Sequence, residues 1–367
     1  MAENQRSGPL ADLRVLEFTG LGPGPFAGML LADMGADVVR VDRPTMRADE
    51  PFDVTARGKR SIMLDLKSPE GLSQAQQLAC KADMVIEGFR PGAMEQLELG
   101  PDRLLALNPR LIYGRVTGWG QTGPLSRTAG HDINYIALTG ALASIRAPGG
   151  KPVPPLNLVG DFAGGSMFLL FGLLAALHER TVSGRGQVVD AAMIDGTSLL
   201  MTGIREMRQR GTWDGPPGMN FLDGGAHFYA AYECADGEYI SVAPIEPQFY
   251  TLLREKIGLL DDPAFDDPWR RKDWPALTDR LADLFRTRTR AQWCELLEGT
   301  DACVAPVLSL DEAVDHPHNR AREAFVDVDG AALPAPAPRL SRTPGKVHAG
   351  APSPGLHNAD VLRDWLD

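Results

Sequence analysis

Histidine and cysteine are scarce in this sequence: seven and four residues, respectively, in a chain of 367. The cysteines Cys80, Cys234, Cys294 and Cys303 never fall at C-x-x-C spacing, so reduced thiols in a reducing compartment are expected. Only His316 and His318 stand close together, two apart around a proline and without a cysteine or carboxylate cluster at ligand spacing. No metal site is expected from that pattern. G-x-S-x-G does not occur, which removes the serine-nucleophile elbow. The longest apolar run, "MFLLFGLLAAL" at 167–177, is short for a bilayer span and reads as a buried helix. No basic segment followed by an apolar one opens the sequence, so a secretory signal is not expected and the protein reads as cytoplasmic. Internal repeats and low-complexity tracts are lacking, and unfolded chain is expected only over the first eight or so residues, "MAENQRSG". Positive charge is short as well: 37 Lys and Arg against 48 Asp and Glu leave a net charge of −11. That argues against nucleic acid or an anionic membrane surface as a partner. An anionic small ligand would need a local basic cluster.

What is present is an ordinary globular composition, 44% hydrophobic and 23% charged, in a chain long enough for two domains. "LRVLEF" (13–18) reads as a buried strand, followed by the glycine-rich turn "TGLGPGPF", a helix, and a second strand, "DVVRVD". That is a βαβ unit with a parallel pair. Asp42 ends the second strand near the place where an acid meets a ribose in dinucleotide folds. The turn, however, has prolines where G-x-G-x-x-G needs free backbone, so a nicotinamide dehydrogenase is a weak reading. "SIMLDL", "DMVIEGF" and "RLIYGRVTGW" read as further strands, and "SPEGLSQAQQLACKA" as a helix capped by Ser68. This alternation predicts an α/β layer with a largely parallel sheet. Ligands in such folds bind beyond the carboxyl ends of the strands. Those ends carry "GLGPG", "RVDRP", "EGFRPG" and "TGWGQTGP".

Near residue 190 the pattern changes. "VVDAAMIDGTSLLMTGIREMRQRG" reads as one long helix leaving the first domain. A glycine- and proline-rich break follows, then a hairpin around Asp236–Gly237, then helical segments over 247–300. "PAPAPRLSRTPG" (334–345) reads as an extended return strip, and "NADVLRDWL" as a final short helix.

The basic residues near strand ends are Arg40, Arg43, Arg60, Lys67 and Arg90. Gathered on one sheet edge they would suit a phosphorylated ligand; scattered, they are a solvated surface with local pairs. His131, in "GHDINY", is a turn histidine or a base. Asp161, in "NLVGDFAGGSMF", is a helix cap or a base beside backbone N–H groups able to hold developing negative charge. Proton abstraction next to a carbonyl needs the second arrangement. On its own, Glu246 in "APIEPQFY" is a surface acid.

Taken together, "GADVVRVDRP", "LDLKS", "IEGFRPGAMEQLELG", "TGWGQTGP", "GHDINY", "PPLNLVGDFAGGSMF", "YECADG" and "IEPQFY" resemble the α-methylacyl-CoA racemases of the type III CoA-transferase superfamily. The resemblance runs from about residue 9 to the end. It implies an interlocked homodimer with a Rossmann-like large domain, a smaller α+β domain, and two linkers. The expected bounds are 1–192 and 335–367 for the large domain, 230–318 for the small one, and 193–229 and 319–334 for the linkers. Each active site would lie between one subunit's large domain and its partner's small domain.

Carried over by motif, His131 matches the family's histidine base and Asp161 its aspartate. Asn157 matches the residue supporting that aspartate, and Glu246 the acid that orients the histidine from the other subunit. Coenzyme A contacts would come from Arg43, from Leu64, Asp65, Leu66 and Lys67, and from Gly88, Phe89 and Arg90. Gly130, Asp132, Ile133, Asn134 and Tyr135 complete that set. One departure is Gln96, which stands where relatives carry an arginine that contacts phosphate. The implied reaction interconverts 2-methylacyl-CoA enantiomers through an enolate, with no cofactor beyond the coenzyme A of the substrate. The same fold implies an alternative, a CoA-transferase acylated at Asp161, although such enzymes generally lack a histidine at the "GHD" position.

Overall fold

The computed structural model describes residues 7–18, 20–46 and 53–367. The expected unfolded start therefore falls mostly on residues outside that set. Two compact units form: residues through Thr139 with Pro155–Leu200 and Glu323–Asp367 make the first, and Gly140–Pro154 with Met201–Arg322 the second. The bounds differ from the expected ones in three places. Residues 140–154 leave the first unit, the stretch expected as one linker divides after Leu200, and 323–334 returns to the first unit.

The first unit holds a six-stranded parallel sheet, in the order β3-β2-β1-β4-β5-β6. Its strands are β1 (Arg14–Phe18), β2 (Asp37–Asp42), β3 (Arg60–Met63), β4 (Met84–Glu87), β5 (Ile112–Thr117) and β6 (Val188–Ala192). Leu16 pairs with Val39 on one side and Val85 on the other. Strands covered on both faces need apolar side chains in both directions, which is why these segments read as continuous hydrophobic runs. Glu17 breaks the run of β1. It is fully buried, and its Oε2 accepts from the Lys59 Nζ at 2.6 Å. Burial pushes the Glu17 carboxyl up and the Lys59 ammonium down, each toward its neutral form.

Helix α1 (Pro23–Asp33) follows β1, and α2 (Pro69–Lys81) follows β3. The Ser68 hydroxyl accepts from the Gly71 N–H at 3.0 Å, which is the N-cap the sequence predicts. Helix α3 (Pro101–Leu107) precedes β5, and α4 (Asp132–Thr139) follows it. Strand order reverses between β1 and β4, so the loops after these two strands flank the crevice of a doubly wound sheet.

Two expectations change here. The long helix expected over 188–211 is instead strand β6, then α5 at Met193–Leu200 in the first unit and α6 at Thr202–Gln209 in the second. "VVDAA" pairs with β5, Gly114 opposite Val189, so its β-branched residues follow the sheet rather than helical propensity. The apolar run at 167–177 is not wholly buried either. It belongs to a continuous helical segment, a nine-residue π-helix (Leu158–Ser166) followed by an α-helix (Met167–Ser183). Leu169 and Leu173 pack on the sheet over Gly114, where an added Cβ would lie 2.9 Å from each. On the far side Phe171 is 73% exposed, and Met167 and Leu174 are exposed too. The segment is long and apolar enough to cross a membrane by composition, a property shared by core helices of globular proteins.

The end of the chain returns to the first unit. His357 donates its N–H to the Ser61 carbonyl, and the Gly355 N–H meets the Ser61 hydroxyl at 2.7 Å. The predicted last helix, here α10, is present at Asn358–Leu366. In the second unit, β7 (Ala230–Glu233), β8 (Tyr239–Val242) and β9 (Val304–Val307) form an antiparallel sheet. The expected turn at Asp236–Gly237 joins the first two. Helices α7 (Pro247–Lys256), α8 (Trp274–Phe285) and α9 (Arg290–Leu297) close its core around Phe228, Phe285 and Trp293.

Candidate active site

Beyond the carboxyl ends of the first unit's strands lies a cavity of about 1030 Å³. Gly20, Leu21, Gly22 and Pro23 line it after β1, Arg43 after β2, and Gly88, Phe89 and Arg90 after β4. Gly118 and Trp119 follow β5, and Gly130, His131, Asp132 and Tyr135 belong to α4 and its approach. Asp161 joins them from the π-helix, and Ala351–Pro354 from the return strip. The crevice expected beyond the strand ends is therefore lined by part of the motif set, His131, Asp161, Arg43 and Arg90 among it.

The histidine segment is held from below. Tyr135 donates its hydroxyl to the Gly130 carbonyl, and its ring meets Trp119 edge-on at 4.8 Å. The His131 N–H donates to Asn134 Oδ1 at 3.0 Å, while the His131 side chain stays exposed to the cavity. Asp132 is buried beneath it. Its Oδ2 accepts the N–H groups of both Gly160 (2.7 Å) and Asp161 (2.8 Å), tying α4 to the π-helix. Such π-helical insertions widen a helix locally and recur at functional sites.

Asp161 is half-buried. Its carboxyl is raised above the ordinary aspartate range, first by burial and then by the negative charge of Asp132. Asn157 Nδ2, donating to Asp161 Oδ2 at 3.2 Å, and nearby His131 act in the opposite direction. The Gly22 backbone, at a φ of 69°, lies against the same carboxyl: an added Cβ would be 3.1 Å from Asp161 Oδ2. A side chain here would be strained and crowded at once.

Asp161 does not cap its helix. It sits one turn inside, and two of the N–H groups at the start of that helical segment, those of Gly160 and Asp161, are already bound to Asp132. The basic cluster is smaller than expected too. Arg40 lines the cavity but is buried against Asp42, at 2.9 Å, and against Asp53. Arg60 pairs with Asp37 and Asp364. A buried guanidinium needs a partner, and these found internal ones. Arg43 and Arg90 line the cavity with no ion pair among the described residues.

Asp42, the candidate ribose acid, is consumed by Arg40 and the Ser61 hydroxyl. Leu64, Asp65, Leu66 and Lys67 occupy the β3–α2 turn and do not line the cavity, nor do Ile133, Asn134 or exposed Gln96. Glu246 belongs to the second unit, at the N-cap of α7, with its side chain exposed. Sequence reasoning missed Trp119, whose buried indole N–H has no partner among the described residues, and the 351–354 strip.

Residues 10–358 match the family described as CoA-transferase family III. The chain belongs to that family. It is 48% identical to the alpha-methylacyl-CoA racemase of Mus musculus over 97% of this chain and 93% of that one. The corresponding Homo sapiens racemase is 46% identical over the same shares. Among solved structures, a CAIB/BAIF family protein from Brucella suis superposes with a TM-score of 0.85 at 26% identity, covering 98% of this chain and all of that one. The doubly wound sheet and the second α+β unit are thus those of a family III chain.

Proposed function

We propose that this family III protein is an isomerase that interconverts (R)- and (S)-2-methylacyl-CoA by moving a proton from one face of the α-carbon to the other. The observation that carries the reading is the presence of His131 and Asp161 on one cavity whose strand ends also bear Arg43 and Arg90. Identity to two proteins named as alpha-methylacyl-CoA racemases supports the same chemistry.

In one direction neutral His131 removes the proton and protonated Asp161 delivers another to the opposite face. In the other direction the Asp161 carboxylate abstracts and the imidazolium donates. One proton is shared by the pair in the resting state, so each direction starts from the protonation pattern that the other leaves behind. Partial burial of Asp161 favours this, because a carboxyl with an ordinary pKa would rarely hold the proton to be delivered.

Between the two transfers the thioester oxygen carries enolate charge. The N–H groups of Asp132 and Ile133, at the start of α4, serve this role better than those of the π-helix, since Gly160 and Asp161 donate to Asp132 and the next two N–H groups of α4, Asn134 and Tyr135, donate to the His131 carbonyl. One such donor is worth about 3 kcal/mol in comparable sites. Arg43 and Arg90 would hold the coenzyme A phosphates. The scheme uses side chains and backbone alone, with no cofactor.

The protein works as a homodimer in this reading. The exposed apolar side chains of Met167, Phe171 and Leu174, with Leu138, Leu199 and Leu200, are more than a lone subunit leaves uncovered. A second subunit would cover them and bring its Glu246 to the imidazole. A cytoplasmic location accords with the four free thiols.

The test is incubation of (S)-2-methylacyl-CoA in deuterated water followed by chiral analysis. Inversion with deuterium at C2, at comparable rates, supports the proposal. A covalent aspartyl-CoA adduct formed in the presence of a carboxylate acceptor would instead assign the chain to acyl transfer.

A further inference from the structure

Asp132 spends one oxygen on two backbone N–H groups and leaves the other, Oδ1, buried with no hydrogen-bond partner among the described residues. The residue is 7% exposed. A buried, half-satisfied carboxylate is costly, and a neutral amide could accept the same two bonds more cheaply. The packing around it is close: a Cβ on Gly160 would lie 2.8 Å from Asp132 Cγ and 3.2 Å from the Ile136 side chain. Glycine at 160 therefore lets the π-helix backbone come down onto this carboxylate.

We propose that Asp132 is a positioning residue for Asp161, fixing the backbone that presents its carboxyl and setting a carboxylate beside it. This rests on the proton-transfer reading above and deepens it. The groups facing Asp161 are Asp132, His131 and Tyr135, with Asn157 as a neutral donor and the Gly22 backbone on the α1 side. Of these, Asp132 is the one that disfavours the Asp161 carboxylate by charge, and so keeps a proton available for delivery.

The experiment is Asp132→Asn, read by steady-state kinetics and by carboxyl ¹³C NMR titration, with the Asp161 resonance assigned by its loss in Asp161→Asn. Asparagine keeps an acceptor for the two N–H groups and removes the charge. The expected result is a kcat lower by roughly tenfold, the difference between a charge-assisted and a neutral hydrogen bond. KM should change little, and Asp161 should titrate at lower pH than in the native protein. A rise in KM alone, or an Asp161 titration identical to the native one, contradicts the proposal. If Asp132→Asn does not fold, Gly160→Ala displaces the same carboxylate without changing its charge, and native kcat in that variant contradicts the proposal equally. A native protein inactive on 2-methylacyl thioesters that still shows the titration difference refutes the reaction and supports the Asp132 assignment.

Discussion

Asn157 donates a hydrogen bond from Nδ2 to Asp161 Oδ2 at 3.2 Å, from the residue just before the π-helix to the carboxyl one turn inside it. The bond stabilises the charged form of Asp161 against the burial that disfavours it. Asn157→Ala should therefore raise the Asp161 pKa further. Catalysis that starts with the Asp161 carboxylate should slow, and its acid limb should move to higher pH. pH–rate profiles measured separately from each enantiomer check this.

Arg43 and Arg90 are the cavity cations without ion pairs among the described residues. Replacing either with glutamine should raise KM for the thioester by roughly tenfold while kcat stays near native, because phosphate contacts bind ground and transition states alike. The same change at Arg60, already paired with Asp37 and Asp364, should leave KM untouched. Initial-rate kinetics separate the two outcomes.

The Glu17–Lys59 pair sits in the core beneath α1, with Lys59 Nζ also donating to the Pro25 carbonyl at 2.9 Å. Lys59→Met should cost about 3–5 kcal/mol, since it strands a buried carboxyl. Adding Glu17→Gln should recover part of that loss. A double-mutant cycle in urea measures the coupling; additive single effects would contradict it.

His227 in the second unit is fully buried, with Nε2 2.8 Å from the Tyr250 hydroxyl and no partner for Nδ1 among the described residues. Burial lowers its pKa from 6.5 to about 4. An unfolded chain protonates this ring near 6.5, so between those values the unfolded state binds more protons and stability is lost as the pH is lowered. The loss should reach roughly 2–3 kcal/mol by about pH 4. Urea unfolding across this range, with the His227 resonance followed by NMR, tests both size and cause. An imidazole titrating near 6.5 in the folded protein contradicts it.

Much of this arrangement is legible in the sequence because it is local. Ser68 announces its helix, the β1 and β4 runs announce a parallel sheet, and "GHDINY" with "NLVGDF" point to His131 and Asp161, both of which line the cavity. What stays hidden depends on long-range geometry. Nothing near residue 190 reveals that "VVDAA" would pair with β5, because sheet pairing overrides local propensity. Arg40 looks like a ligand contact until its burial against Asp42 is seen. Asp132 reads as a neighbour of His131, whereas its carboxylate reaches a backbone 28 and 29 residues further on.

The central claim is that His131 and Asp161 each serve one enantiomer. The direct measurement is α-proton exchange of (R)- and (S)-2-methylacyl-CoA in deuterated water by the variants His131→Gln and Asp161→Asn. Each variant should exchange one enantiomer with retention, fail on the other, and racemise neither, the two choosing opposite enantiomers. Racemisation at the native rate by either variant, or the same enantiomer exchanged by both, would contradict the account.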